Sequence, residues 1–114
     1  MSPEQIPLGY YTHINFAFAS IDPSSFHVNT MTSDTGVVSQ DVAALYQRVT
    51  ALKVKQAGLQ VWISIGGWAM NDPTQATKTT FSDLAGSTSA QTQFFASLIS
   101  FMINNGFDGV DLDW

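Results

Sequence analysis

Strand-like and helix-like patterns alternate along this chain, and that alternation restricts its fold more than any other feature. Alternating apolar and polar residues predict strands over residues 10–21 and 59–65. Apolar residues at helical spacing predict helices over about residues 41–57 and 90–104, and a third strand follows the second helix. Strands separated by helices usually pair in parallel, with the helices packed outside the sheet. The sequence therefore predicts an α/β fold.

Local signals set the expected ends of these elements. Ser39 is a candidate N-cap for the first helix, and Gly58 is a suitable stop. Ser89 is the candidate cap of the second helix, which should end at Gly106 because glycine accepts the left-handed conformation. Residues 26–38 are rich in Ser, Thr, Asn and Gly, which predicts an irregular loop.

Residues 106–114 place two carboxylates on one face of a short apolar strand. Asp111 and Asp113 alternate with Val110 and Leu112. Side chains two positions apart on a strand point the same way and lie about 6–7 Å apart. Like charges at that distance cannot both ionise freely, so such a pair destabilises a protein unless it is bonded or used. We regard both residues as candidate catalytic groups.

Composition excludes several classes of partner and site. The 114 residues carry four Lys or Arg against nine Asp or Glu, a net charge of -5. Nucleic acids and anionic membranes attract clustered cations, so we expect neither as a partner. The sequence has no cysteine, which excludes disulfides and thiolate sites. It also lacks the apolar run of about 20 residues that spans a bilayer, and its first residues do not form a signal peptide.

Three parallel strands do not close a sheet, so we expect residues 1–114 to be one part of a larger α/β barrel. Such barrels usually have about 250 residues, and their chemistry lies at the C-terminal ends of the strands. The unusual residues fall at those ends: Ser64 and Gly66-Gly67-Trp68 after one strand, Asp111 and Asp113 on the next.

Two motifs resemble a known enzyme family. Ser64-Ile65-Gly66-Gly67, followed later by Asp108-Gly109-Val110-Asp111-Leu112-Asp113-Trp114, is similar to the two signatures of the family 18 glycoside hydrolases, the chitinases. Residues 11–18 resemble the second barrel strand of that family, and the intervening sequence is most similar to fungal killer-toxin-like chitinases. The resemblance implies a partial (β/α)8 TIM barrel, approximately strands two to four with the intervening helices. It also implies an N- and C-terminally truncated fragment of the catalytic domain.

The resemblance implies an endo-type chitinase in the intact protein, acting by the substrate-assisted retaining mechanism. Asp113 would orient the acetamide group of the sugar, and Asp111 would share a proton with Asp113. Ser64 would hydrogen-bond Asp111. The catalytic acid of the family is the glutamate directly after the position of Trp114, so we expect residues 1–114 alone to be inactive.

Further roles follow from the same resemblance. Trp68 would stack on a sugar ring, and the substrate site would also contain Ser64, Gly66 and Gly67. Asp108 and Gly109 would be structural parts of the motif, with Asp108 bonding backbone where the strand begins. The ligands would be chitin and N-acetylglucosamine oligomers, with no cofactor and no metal. The intact protein would be secreted and monomeric.

Several alternatives remain open. One is a chitinase-like protein that binds chitin oligosaccharides without turnover. Another is a Ca²⁺ or Mg²⁺ site formed by Asp108, Asp111 and Asp113, although their spacing does not fit a calcium-binding loop. His13 and His27 are too isolated for metal ligation. For the remaining tryptophans we expect packing roles, with Trp62 inside the barrel and Trp114 on the helix side, whereas a core position is the alternative for Trp68.

Overall fold

A four-stranded sheet forms the centre of the molecule. The computed structural model describes residues 1–30 and 41–114. The strands β1, β3 and β4 are parallel, and β2 joins the free side of β1 in the antiparallel direction, giving the order β2-β1-β3-β4. The strand bounds are β1 (His13–Ile21), β2 (Val28–Thr30), β3 (Gln60–Gly66) and β4 (Gly109–Asp113). The predicted α/β fold is thus confirmed.

Strand β2 shows that part of the loop prediction was wrong. Residues 28–30 lie in the range assigned to an irregular loop, yet they pair with the end of β1, with Val28 opposite Ile21. The turn between β1 and β2 is stabilised by Asp22, whose carboxylate accepts hydrogen bonds from the backbone N–H groups of Ser24 and Ser25 at 2.9 and 2.8 Å. The three paired residues are too few to show a clear alternation in the sequence. The rest of the predicted loop and the candidate cap Ser39 lie outside the described residues.

Helices cover one face of the sheet. They are α1 (Asp41–Thr50), which continues as a 3-10 turn (Ala51–Val54), α2 (Trp68–Asn71), α3 (Thr80–Ala85) and α4 (Thr88–Asn105). The cap of α4 is not Ser89 as predicted but Ser87, whose hydroxyl accepts the Ala90 N–H at 3.2 Å. Gly106 ends α4 with φ of 80°, as its position in the sequence predicts. Among the described helices, none combines the length and apolar character needed to cross a bilayer.

The core lies between the sheet and these helices. Val61, Ile63 and Ile65 on β3 have no solvent exposure, and neither has Tyr46 of α1. The Tyr46 ring meets Phe16 edge to face with centroids 4.8 Å apart. Burial of each large aliphatic side chain contributes roughly 1.5–3 kcal/mol, so the packing of this face makes a large favourable contribution to folding. The opposite face of the three parallel strands is not covered by any described helix and carries the candidate site.

Candidate functional site

The pairing of β3 with β4 brings the predicted site residues together on the uncovered face. Ser64 pairs with Asp111, and Gly66 pairs with Asp113. Directly paired residues on neighbouring strands share a face, and so do residues two apart on one strand. Asp111 and Asp113 therefore lie on the same side of β4, opposite the side that packs against the helices.

One hydrogen bond joins the two strands within this site. The Ser64 hydroxyl donates to Asp111 Oδ2 at 2.9 Å, which is the contact that the family resemblance implies. Ser64 is only 4% exposed, Asp111 is half-buried and Asp113 is exposed. Because Asp111 is held by a buried donor while Asp113 is open to solvent, the pair consists of one fixed carboxylate and one accessible carboxylate.

Gly66 and Gly67 allow the C-terminal ends of β3 and β4 to lie in close contact. A side chain at Gly66 would overlap the Asp113 carbonyl oxygen and lie 2.9 Å from the Phe81 ring, and the backbone there has φ of +113°. The Gly67 N–H donates to the Asp113 carbonyl at 2.9 Å. This geometry requires glycine at position 66 whether or not the residue also contacts a sugar, so the predicted role of both glycines in substrate binding stays a prediction.

Gly109 leaves room for an indole ring on the same face. A Cβ atom at this position would come within 2.5 Å of the Trp62 ring, which lies across the strand from it. Trp62 is half-buried, and its ring meets His13 edge to face at 5.8 Å. The Trp62 indole thus packs over the N-terminal part of the uncovered face, below the two carboxylates.

Trp68 is the most exposed tryptophan of the molecule. It is the first residue of α2, directly after Gly67, and 83% of its surface is accessible. The short helix is held by Asn71, whose side-chain amide donates to the Gly67 carbonyl at 2.9 Å. The exposure contradicts the alternative of a core residue under the loop. Stacking on a sugar ring remains a prediction.

Trp114 does not occupy the core position that the alternation predicts. Trp114 is 67% exposed, and its ring stacks on Phe81 with centroids 5.6 Å apart and the planes 20° from parallel. The reason is the position of β4 at the edge of the described sheet, where α3 supplies cover for only one side of the ring. Leu112, which points the same way, is also 53% exposed.

Asp108 binds the backbone where β4 begins. Its Oδ2 atom accepts the Val61 N–H at 2.9 Å, and its own N–H donates to the Val61 carbonyl at 2.8 Å. Its Oδ1 atom accepts a hydrogen bond from Lys53 Nζ at 2.9 Å. Burial acts to raise the pKa of Asp108, but the Val61 amide and the Lys53 ammonium outweigh it and hold that pKa below its ordinary value. The predicted backbone contact of Asp108 is therefore present.

These contacts do not assemble the alternative metal site. Both carboxylate oxygens of Asp108 are bound to Lys53 and Val61, and Asp111 accepts from Ser64. Within residues 1–30 and 41–114, no group of three His, Cys, Asp or Glu side chains is placed to hold a metal ion.

The contacts of Lys53 with the Gly106 carbonyl and the Asp108 carboxylate could not be predicted from the sequence. Gly106 and Asp108 follow α4, whereas Lys53 follows α1. No spacing rule connects a lysine at the end of one helix with an aspartate so far along the chain. Its cationic side chain in the last turn of a helix is the one feature that could have suggested a contact with nearby carbonyl groups.

The chain is similar to chitinases in sequence and in structure. Probable chitinase 10 of Drosophila melanogaster is 35% identical over 112 residues, covering 98% of this chain and 4% of the relative. Catalytic domain 2 of the Group II chitinase of Ostrinia furnacalis, in a mutant form in complex with (NAG)5, superposes with a TM-score of 0.81 and 32% identity. Human YKL-39, described as a pseudo-chitinase with retained chitooligosaccharide binding properties, gives a TM-score of 0.76 and 28% identity.

Each of these two structures is covered over 27% of its length by the whole of this chain. The sheet and helices described above thus match part of the α/β barrel of these proteins, as the sequence predicts. Residues 2–114 also match the family described as Glycosyl hydrolases family 18. The chain therefore belongs to family 18 of the glycosyl hydrolases.

Proposed function

We propose that this chain carries the substrate-orienting strands of an endo-type chitinase, which hydrolyses β-1,4 linkages between N-acetylglucosamine units with retention of configuration. The observation that carries the proposal is the hydrogen bond from the buried Ser64 hydroxyl to Asp111, on the same face as the accessible Asp113. This arrangement offers one free carboxylate to a ligand and holds its neighbour in place.

In this mechanism Asp113 accepts the N–H of the sugar acetamide and turns that group toward its own anomeric carbon. The acetamide oxygen attacks the anomeric carbon as the glycosidic bond breaks, and the resulting cyclic cation is stabilised by the Asp113 carboxylate. Fixed charges of this kind accelerate a reaction because they need no reorganisation as charge develops. Asp111, held by Ser64, shares a proton with Asp113 and limits the directions that Asp113 can adopt.

The proton for the leaving oxygen comes from a different group. Within residues 1–114, strand β4 carries only aspartates as its acidic residues. We assign the acid to a glutamate directly after Trp114, which the period of a strand would place on the face of Asp111 and Asp113. The polypeptide of residues 1–114 is accordingly expected to release no sugar from chitin oligomers, as measured by chromatography of the products.

Trp68 provides the sugar-stacking surface. The C–H faces of a pyranose ring are apolar and fit well against an indole, and the exposed ring of Trp68 follows directly on the strand end that carries Ser64. Gly66 and Gly67 keep the backbone at this strand end free of side chains, so a sugar can approach it closely.

The finer assignments belong to the same proposal. Residues 1–114 form one unit of a catalytic domain, the intact enzyme is secreted and monomeric, and its relatives include the fungal killer-toxin-like chitinases. Its ligands are chitin and N-acetylglucosamine oligomers. The net charge of -5 supports a neutral ligand over nucleic acid or an anionic membrane.

A second candidate function is oligosaccharide binding without turnover. The similarity to human YKL-39, which is described as a pseudo-chitinase that binds chitooligosaccharides, favours it. The residue that follows Trp114 in the transcript distinguishes the two: a glutamate supports the enzyme, and a residue without a carboxyl group supports the binding protein.

The proposal is tested by titrating residues 1–114 with N-acetylchitopentaose while observing the indole N–H signals by NMR. Cellopentaose, which has no acetamide groups, is the matched ligand control. We expect N-acetylchitopentaose alone to shift the Trp68 signal, and Asp113→Asn to weaken this binding.

Trp68→Ala should abolish binding, whereas Tyr10→Ala should not, since Tyr10 is 82% exposed and precedes β1 at the opposite end of the sheet. Equal binding of both sugars would contradict the proposal.

A further inference from the structure

Lys53 connects the end of the first helix to the start of the carboxylate strand. Its ammonium group donates to the Gly106 carbonyl at 2.6 Å and to Asp108 Oδ1 at 2.9 Å. The Lys53 side chain is 29% exposed, and that of Asp108 is 34% exposed. Lys53 therefore holds both the residue that ends α4 and the residue that precedes β4.

A second residue of the same helix end reinforces this contact. The Thr50 hydroxyl donates to the Asn105 carbonyl at 2.7 Å, and Thr50 is only 8% exposed. Gly106 turns beside it, and a Cβ atom there would lie 3.3 Å from the Thr50 hydroxyl oxygen. The turn between α4 and β4 is thus held by Thr50, the last residue of α1, and by Lys53 in the 3-10 turn that follows it.

The contact between Lys53 and Asp108 matters for the site because Asp108 sets the register of β4 against β3. The backbone N–H and the carboxylate of Asp108 both bind the backbone of Val61, and the pairs Ser64–Asp111 and Gly66–Asp113 follow from that alignment. A slip of one residue would turn every side chain of β4 to the other face of the sheet. Asp111 and Asp113 would then point toward the helices.

We propose that Lys53 is a positioning residue for the site, which keeps Asp108 bound to Val61 and thereby holds Asp111 and Asp113 on the uncovered face. The register part of this inference stands on the contacts alone, and only its consequence for sugar binding rests on the proposed function. Lys53 acts through Asp108, since the hydrogen bonds described for its side chain go to Gly106 and Asp108 rather than to the site.

The experiment compares three variants of residues 1–114. Lys53→Met removes the charge and keeps most of the stem, and Lys53→Arg keeps the charge. Lys55→Met is the matched control, because Lys55 is exposed on the same chain segment and no side-chain hydrogen bond is described for it. Two quantities are measured under conditions where each variant is folded: NMR contacts between Ser64 and Asp111 across the strands, and the affinity for N-acetylchitopentaose.

We expect Lys53→Met to weaken the Ser64–Asp111 contacts and to lower the affinity about tenfold, because the apparent affinity falls in proportion to the fraction of molecules that keep the correct register. Lys53→Arg should keep most of the Ser64–Asp111 contacts and most of the affinity, and Lys55→Met should change neither the contacts nor the affinity. In the Asp113→Asn background Lys53→Met should have little further effect on affinity, because Lys53 acts through the position of that carboxylate. A role in stability alone would lower the melting temperature and leave the affinity of the folded protein unchanged.

Unchanged Ser64–Asp111 contacts in Lys53→Met would overturn the inference. If that variant does not fold, Asp108→Asn gives the same test, since it weakens the partner of Lys53 without removing the lysine. Absence of sugar binding by the unmodified chain would instead count against the proposed function, and the strand contacts would still decide whether Lys53 fixes the register.

Discussion

The two faces of strand β3 differ in what they do. Val61, Ile63 and Ile65 are fully buried against the helices. The alternate residues Trp62 and Ser64 share the other face with Gly109 and Asp111 of β4. One strand thus contributes folding free energy on one side and chemistry on the other, because its side chains alternate with a period of two.

Substitutions on the two faces of the sheet should therefore have different effects. A change on the helix side removes apolar burial, whereas a change on the other side alters ligand contacts or single hydrogen bonds. The exception is Ser64, which lies on the uncovered face but is only 4% exposed and donates a hydrogen bond to Asp111 across the strand pair. The contrast between the two faces can be tested position by position.

The largest effect is expected on the helix side. Ile63→Ala should lower the free energy of unfolding by about 2–5 kcal/mol, because it leaves a cavity in a fully buried site. Asn15→Ala is the control: Asn15 pairs with Trp62 on the uncovered face, its side chain is exposed and no hydrogen bond is described for it, so we expect a change within about 0.5 kcal/mol. Urea unfolding of both variants measures the difference. Similar losses at the two positions would remove the proposed contrast.

A smaller effect is expected at the hydrogen bond between the strands. Ser64→Ala should lower the free energy of unfolding by about 1–3 kcal/mol, since it leaves the half-buried Asp111 carboxylate without its donor. Ser100→Ala, at an exposed position of α4, is the matched control and should be nearly neutral. Thermal unfolding of the two variants is the measurement, and equal melting temperatures would show that the bond does not stabilise the fold.

The pH dependence of stability should reveal the contact at the start of β4. The pKa of Asp108 is lower in the folded chain than its ordinary value of 3.8, so the unfolded chain binds more protons between these two values. The stabilisation is present above the ordinary value and is lost as the pH falls through the folded one. The Asp108→Asn variant should not show this loss of stability at low pH. Unfolding measurements of both proteins between neutral pH and about pH 2 would detect the difference. Parallel pH curves for the two proteins would contradict the assignment.

The smallest effect on stability is expected at Trp68. Trp68→Ala should change the free energy of unfolding by no more than about 0.5 kcal/mol, because Trp68 is 83% exposed. The same substitution is expected to abolish sugar binding, so this position separates the two properties most sharply. A large loss of stability, measured by urea unfolding, would show that the ring packs against the fold.

The order of strands and helices could be predicted from the sequence because it depends on local periodicity. So could the shared face of Asp111 and Asp113, since alternation along one strand needs no information about its neighbours. Strand β2 and the Ser87 cap of α4 were missed because short elements and competing serines give weak local signals. The exposure of Trp114 was missed as well, because alternation shows the face of a residue but not whether anything covers that face.

Local patterns along the chain are sufficient to predict the parallel α/β order, the two family motifs and the face of each carboxylate, since all three depend on residues close together in sequence. The alignment of β4 against β3 and the contact of Lys53 with Gly106 and Asp108 are known only from the folded structure. These features join segments that are far apart in sequence, and a pairing between distant segments depends on packing that no local pattern records.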